Sequence, residues 1–321
     1  IDYNFIYDDF GNISNIKIGN DIALLSNNYG NNNGNLTQSV YGNGHCNSYE
    51  YDDFNRIKKV IKSNNIYTYK YDNNGDLSKI IDNNGFKKYI YDVSKRLYAY
   101  FDNDFNIRYN YDLNNNIINK QYNYLTSKNK IENSYNSDEA ITQTKFNSNL
   151  INYTYDEIGR LVGKNINNSF NTTYTYLQNG NRTSLIIETI KNGNDEYKYV
   201  YDKLGNIIVI YHNDVIENEY FYDNFSQLIM EHDYKNRITI RYKYDKYGNI
   251  LSKKVYKLNT YDQISQNIYK YENNNWKDLL TKYNDENIIY DNIGNPISFG
   301  NKSLTWINGR QLSIYDDGLI E

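Results

Sequence analysis

Tyr153-Thr154-Tyr155-Asp156-Glu157-Ile158-Gly159-Arg160-Leu161-Val162 is the stretch whose reading decides the fold. Its two tyrosines are spaced by two, which puts both rings on one face of a strand, and tyrosine favours strands. Asp156 then opens a reversal. Its carboxylate can accept a bond from backbone two residues on, and Gly159 can take the left-handed conformation that ends the turn. A type I turn closed by such a glycine makes a three-residue hairpin loop with a bulge. Leu161 and Val162 begin the return strand, so ten residues write one hairpin.

The same letters recur along the chain. YDDFGNISNI from Tyr7, YDNNGDLSKI from Tyr71, YDKLGNIIVI from Tyr201 and YDKYGNILSK from Tyr244 give the pattern Y-x-Y-D-x-x-G-[NR]-[IL]. Tyr-Asp occurs 12 times in 321 residues, where random placement would give about 3. Tyr51-Asp52, Tyr71-Asp72, Tyr91-Asp92 and Tyr111-Asp112 stand 20 apart. Before them come Tyr7-Asp8, with Gly11, and the weaker Tyr29. After them come Tyr135, Tyr155, Tyr176, Tyr201-Asp202, Tyr222-Asp223, Tyr244-Asp245, Tyr271 and Tyr290-Asp291, the last with Gly294, at steps of 19 to 27. A step that drifts implies hairpins with elastic loops, since a helical heptad tolerates no such variation. The chain reads as one repeat domain, residues 1–321, of about 14 units.

Gly75, Gly159, Gly205 and Gly248 hold the turn-closing position in the better units, and Asn115 and Asn275 replace glycine elsewhere. Asparagine tolerates positive φ. Lys95 and Ser226 do so less readily, and their turns are expected to differ. Second turns, such as Ser63-Asn64-Asn65, Asp82-Asn83-Asn84-Gly85 and Asn167-Asn168, join one unit to the next. Two strands and two turns in each unit leave roughly 6 residues per strand, and on the order of 25 strands in all. The fold class expected is all-β: sequential antiparallel β-hairpins in one long curved or spiralling sheet. A single proline in the whole chain fits a sheet whose backbone donors are nearly all used. Helix cannot compete, because Asn, Tyr, Asp and Ile are mediocre helix formers and their period here is two.

Composition removes several functions. A net charge of −4 and a pI near 5.6 give no basic face for nucleic acid. No apolar run approaches the length of a membrane-spanning helix. One cysteine excludes a disulfide framework and a four-cysteine metal site. The 58 Asn and 39 Tyr, with many Ile and Lys, are what AT-rich codons encode and suggest a low-GC bacterium. That bias discounts any single Asn, including the sequons at Asn35 and Asn171. The chain begins at Ile1 without a signal-like segment and ends inside another unit, Tyr315 to Glu321, so it reads as an excerpt truncated at both ends.

Sites are few. His45 beside Cys46 is the one metal-like or nucleophile-like pair, and it lacks a base, an orienter and further ligands. His212 and His232 are expected in inter-unit turns. Asp102-Asn103-Asp104-Phe105-Asn106 starts like a calcium loop but has Ile107 and Leu113 where an EF-hand needs Gly and Glu. The expectation is therefore no catalytic residue, no metal, no cofactor and no enzyme. Two readings of the tyrosine ladder stand: rings packing on rings between hairpins, and a row of sugar-stacking platforms for a glycan or cell-wall polymer.

Two further stretches sharpen the reading. Tyr41-Gly42-Asn43-Gly44, followed by Tyr49-Glu50-Tyr51-Asp52, and GNPISFGNKSLTWINGRQL from Gly294 to Leu312, with Trp306, Gly309 and Arg310, resemble variants within the YD-repeat (Rhs-repeat) family, as the whole ladder does. The resemblance covers nearly the entire chain. It implies hairpins joined edge to edge in a spiralling sheet that rolls into a hollow shell, in secreted or surface bacterial proteins such as wall-associated proteins and polymorphic toxins. By resemblance the function is a non-enzymatic structural shell that encloses or presents a C-terminal toxin region. The partners implied are the remainder of its own longer chain and a toxin cargo. The family's self-cleaving core carries a D-P-x-G-x-x-G stretch, whereas the sole proline here, Pro296, follows Asn295 within a repeat unit.

Overall fold

The computed structural model describes residues 3–19, 21–30, 34–179 and 182–316. Asp317 to Glu321, the tail of the last expected unit, lie outside the described residues. Among the described residues there are 30 strands and no helix. The strands pair antiparallel with their sequence neighbours, as in Tyr3–Tyr7 with Ile13–Ile18 and Asn149–Tyr155 with Leu161–Ile166. Thirty exceeds the roughly 25 expected. Units without an intact D-x-x-G, such as the one at Tyr135, still form full hairpins, and the C-terminal stretch supplies Pro296–Phe299, Lys302–Ile307 and Gln311–Asp316.

One register recurs among these hairpins. Tyr51 pairs with Ile57, Tyr71 with Leu77, Tyr155 with Leu161, Tyr201 with Ile207 and Tyr222 with Leu228, and in each hairpin the register shifts just before the tyrosine. One residue of the return strand is therefore a bulge, and it accommodates the five-residue excursion of the loop. Gly159 N–H donates to the Asp156 carbonyl at 3.0 Å, and Asp156 N–H donates to the Arg160 carbonyl at 3.0 Å. The inter-unit turns are tighter. Lys62 pairs with Asn65, Phe146 with Asn149 and His212 with Val215, leaving two-residue loops. Asn213 and Asp214 both have positive φ, as such loops require.

The turn-closing position is left-handed whether glycine, asparagine, lysine or serine occupies it, with one exception. Gly159 and Gly205 have φ of 82° and 89°, and Asn55 and Asn115 have 60° and 71°. Lys95 and Ser226 have 61° and 60°, and their N–H groups donate to the Asp92 and Asp223 carbonyls at 3.0 and 3.1 Å. Their turns do not differ, contrary to the expectation from side-chain type. Three bonds to the preceding aspartate fix the loop, and together they exceed the left-handed penalty of about 1 kcal/mol. Asn275 is the true exception. It lacks positive φ, and the N–H groups of Asn275 and Trp276 both donate to Asn273 Oδ1. Glu272 stands where the aspartate should be, and with its extra methylene the loop is organised by Asn273 instead.

A test of the turn follows. Space around the Gly159 Cβ position is open, so a substitution there meets only backbone strain. Gly159→Val is expected to cost about 1 kcal/mol or more in thermal melts, and Gly159→Asn clearly less. Equal costs would mean that conformation does not select the residue.

The chain forms two compact units. One comprises Ile1–Lys88, Tyr244–Ser252 and Asn267–Glu321, the other Tyr89–Lys243 and Lys253–Gln266. Interiors are sparse because a single-layer sheet has little to pack against. In the first unit Ile18, Leu24 and Ile293 form a buried cluster, bordered by Ile16, Ile22, Tyr41 and Trp276. In the second unit Ala99 and Ile240 are buried, and so are the polar Thr172 and Thr239.

Candidate functional site

The aspartate of each unit organises its own loop. Asp52 Oδ1 accepts from the N–H groups of Phe54 and Arg56, each at 3.0 Å, while Oδ2 accepts from Arg56 Nε at 2.8 Å. Asp92 and Asp156 use Arg96 and Arg160 in the same way. Asp8, Asp112, Asp202, Asp245 and Asp291 use the side-chain amides of Asn12, Asn116, Asn206, Asn249 and Asn295. Asp72 and Asp223 accept from backbone alone among the bonds seen. The role of Asn or Arg after the glycine was missed in the sequence, although its recurrence was the signal. The side-chain bond from Arg56 leads in holding the Asp52 carboxyl below the ordinary carboxylate range, against the opposing pull of burial. Asn12 and Asn206 lead in the same way at Asp8 and Asp202.

Tyrosines stitch one unit to the preceding one. Tyr71 Oη donates to the Ile57 carbonyl at 2.8 Å, Tyr111 to Leu97 at 2.7 Å, Tyr155 to Ile141 at 2.8 Å and Tyr201 to Ile187 at 2.7 Å. Tyr51, Tyr222 and Tyr290 do likewise toward Leu36, Ile207 and Leu280. Where arginine follows the turn, its guanidinium also covers the next tyrosine. Arg56 lies 4.2 Å from the Tyr71 ring, and Arg96 and Arg160 lie 4.5 Å from Tyr111 and Tyr176. These contacts exceed the ring-on-ring packing expected, because the acceptor is a backbone carbonyl left open by the bulge. Ring-to-ring contacts also run in series from Tyr89 to Tyr100 to Phe105 to Tyr122. Burial raises Tyr51, Tyr71, Tyr111, Tyr155, Tyr201, Tyr222 and Tyr290 above their ordinary value.

The two variant stretches meet. In the first unit Ile293, third in the Asp291-Asn292-Ile293-Gly294 turn, has no exposed surface and sits against Ile18 and Leu24. Asn43 Nδ2 donates to Asp291 Oδ2 at 2.8 Å and to the Gly309 carbonyl at 3.0 Å. His45 Nε2 lies 3.0 Å from the Trp306 carbonyl, which can only accept, so that nitrogen carries the proton. Arg310 Nη2 donates to the Ile293 carbonyl at 2.9 Å, and Trp306 Nε1 to the Pro296 carbonyl at 2.7 Å. Glycines make the approach possible. A Cβ on Gly42 would collide with the Ala23 carbonyl and lie 2.9 Å from Ile293 Cγ2, and one on Gly309 would lie 2.9 Å from the Tyr41 ring. This seam joins residues some 250 positions apart.

The remaining candidates make local contacts. Cys46 is a free thiol 3.9 Å from Ser48 Oγ, at the start of a strand. His212 and His232 are strand residues rather than turn residues. His212 stacks on Tyr197 at 4.5 Å, and His232 Nδ1 lies 2.9 Å from Thr239 Oγ1. Alternation along the strand, which places each ring beside a cross-strand neighbour, outweighs the polarity that suggested a turn. Asp102 accepts from the N–H groups of Asp104 and Phe105 and from Tyr100 Oη, the bonds of a turn. Among the described residues no group of three or more His, Cys, Asp or Glu could hold a metal ion. No helix among them is long and apolar enough to cross a membrane.

No protein-family model matches the chain, and no curated protein matches it. Solved structures do. The crystal structure of TcdB2-TccC3 matches with a TM-score of 0.62 and 14% identity, over 98% of this chain and 21% of that one. A complex described as TcdB2-TccC3-Cdc42 matches at 0.60 and 13%, over 98% and 20%. A Tc holotoxin pore from Photorhabdus luminescens carrying a TccC3 mutation matches at 0.64 and 14%, over 98% and 20%. This chain has the YD-repeat fold. The YD-repeat array spans about a fifth of the length of the structures it matches.

Proposed function

We propose that this YD-repeat array is a structural, non-enzymatic segment of a shell in a secreted or surface-attached bacterial protein. Its wall encloses or presents a toxin region carried by the same longer chain, and its partners are the rest of that chain and the cargo. The observation that supports this is the likeness of nearly the whole chain to the TcdB2-TccC3 structures, with no interruption by a second kind of domain. The local chemistry agrees. The unit aspartates are committed to their own loops and the ladder tyrosines to neighbouring backbone, which leaves little free functionality for catalysis.

The test is binding. An unfolded guest, reduced and carboxymethylated so that it cannot refold, is expected to bind the chain weakly and without sequence preference, while a glycan array stays blank. One place where a sugar could stack is Trp276, beside the cleft bounded by Asp21, Ile22, Thr281 and Asp291. One defined sugar bound there, with no guest bound, would overturn the shell reading in favour of glycan recognition.

A further inference from the structure

Two turns of one shape carry the same Asn-Gly pair. In Tyr41-Gly42-Asn43-Gly44 the Gly44 N–H donates to the Tyr41 carbonyl at 2.8 Å, and in Asp72-Asn73-Asn74-Gly75 the Gly75 N–H donates to the Asp72 carbonyl at 3.1 Å. The closing glycines have φ of 88° and 85°. What differs is the surroundings of the asparagine. Asn74 is exposed, whereas Asn43 is half-buried in the seam. There its Nδ2 donates to Asp291 Oδ2 at 2.8 Å and to the Gly309 carbonyl at 3.0 Å, so both amide hydrogens are engaged.

Asparagine before glycine is prone to deamidation, because no Cβ shields the glycine nitrogen. That nitrogen attacks the asparagine Cγ, a C–N bond forms and ammonia leaves. Water then opens the succinimide to aspartate or isoaspartate. We propose that Asn43 is a deamidation site that works as a one-way latch on the seam. It is protected while the seam is closed and reacts when the seam opens, and the product then prevents reclosure. Protection follows from the two amide bonds, which keep Cγ from turning toward the Gly44 nitrogen. No such hold is seen on the Asn74 amide among the described residues. Opening is accessible because the seam rests on the small apolar cluster of Ile18, Leu24 and Ile293, and elements with few buried contacts open locally. The product cannot fit the closed seam. Conversion replaces a donor by a carboxylate that faces a carbonyl and a second carboxylate. Burial opposes ionisation of Asp291, yet the bonds it accepts from Asn43 and Asn295 hold its carboxyl below the ordinary 3.8, so it is charged at neutral pH. Arg310, the cation of the seam, is engaged with the Ile293 carbonyl. Isoaspartate also lengthens the backbone by one carbon beside Gly42, whose N–H donates to the Leu24 carbonyl at 3.0 Å.

Asn74 serves as the internal standard for the test. The chain is aged at neutral pH, and peptide mapping with fragmentation follows conversion at each position. Asn43 is expected to convert at least about tenfold more slowly than Asn74, since only the open fraction reacts. Ile293→Ala, with an unchanged far-UV spectrum, should speed conversion at Asn43 by at least about tenfold and leave Asn74 as it was. Equal rates at the two positions in the unaltered chain overturn the proposal. So does a rate at Asn43 that Ile293→Ala leaves unchanged. As an independent measurement, Asn43→Asp supplies the product directly and should lower the melting temperature by about 3 °C or more, whereas Asn74→Asp should shift it by less than about 1 °C. An Asn43→Asp chain that melts with the unaltered one overturns the latch. None of these outcomes depends on the shell reading.

Discussion

Replacing Ile293 with alanine is expected to destabilise the first unit by about 3 kcal/mol, whereas Phe225→Ala, at the same position of an equivalent turn, changes stability by less than about 0.5 kcal/mol. Both residues are third in a YD turn. The difference is that Ile293 has no exposed surface and Phe225 is 83% exposed. A single-layer sheet buries few apolar side chains, so losing one from the Ile18, Leu24 and Ile293 cluster removes a large share of what fixes the seam. Gly42→Val should act through the same seam. Its Cβ would run into the Ala23 carbonyl, which is backbone and cannot swing aside, and overpacking of this kind costs about 1–3 kcal/mol. Thermal melts of the three variants decide the matter. Ile293→Ala and Phe225→Ala melting together would show that the seam contributes nothing to stability.

The hairpins were legible because every element of Y-x-Y-D-x-x-G acts within about ten residues. Asp156 meets Ile158 and Arg160 across two and four positions, so the sequence alone exposes the partners. Lys95 and Ser226 misled because side-chain preference was weighed without the three aspartate bonds that hold the loop. The Tyr71 bond to Ile57 was harder to see. It spans 14 residues and ends on a backbone carbonyl, which leaves no mark on residue choice at the acceptor. The seam was hidden for a deeper reason. Asn43 and Asp291 lie 248 positions apart, and nothing periodic relates them. Even so, both halves were singled out as stretches that depart from the ladder, Tyr41–Gly44 and Gly294–Leu312.

Alkali is expected to dissolve the sheet in one cooperative step between about pH 10 and 12. The ladder tyrosines must keep their protons, since each donates through Oη to a carbonyl of the preceding unit, and a phenolate there would set negative charge against an acceptor. Burial raises these phenols above the ordinary value of 10.0, and it pushes Tyr100 and Tyr220 to about 12. A group whose folded pKa is raised contributes stability that is complete below its unfolded pKa and is lost as pH climbs through the folded one. The loss therefore begins near pH 10 and ends near 12. The aspartates behave in the opposite sense. Their folded pKa values lie below the ordinary 3.8, so their contribution is complete above that value and fades only as pH falls beneath it. Between these two edges the carboxyl of Glu231, raised by burial, lets stability fall only slightly as pH climbs above the ordinary 4.5. Phenolate absorbance at 295 nm and the far-UV sheet signal, followed together from pH 8 to 12.5, check the alkaline edge, and the two should change in the same interval. Tyrosines that titrate gradually around pH 10 while the sheet persists would show that their hydroxyl bonds do not hold the units together. Tyr71→Phe separates that cause from general charge repulsion. It should lower stability at pH 7 by about 1 kcal/mol, through the lost bond to Ile57, yet make the protein less sensitive to alkali because one ionisable stitch is gone. Repulsion among carboxylates left unopposed once the lysines lose their charge predicts no such crossing of the two curves.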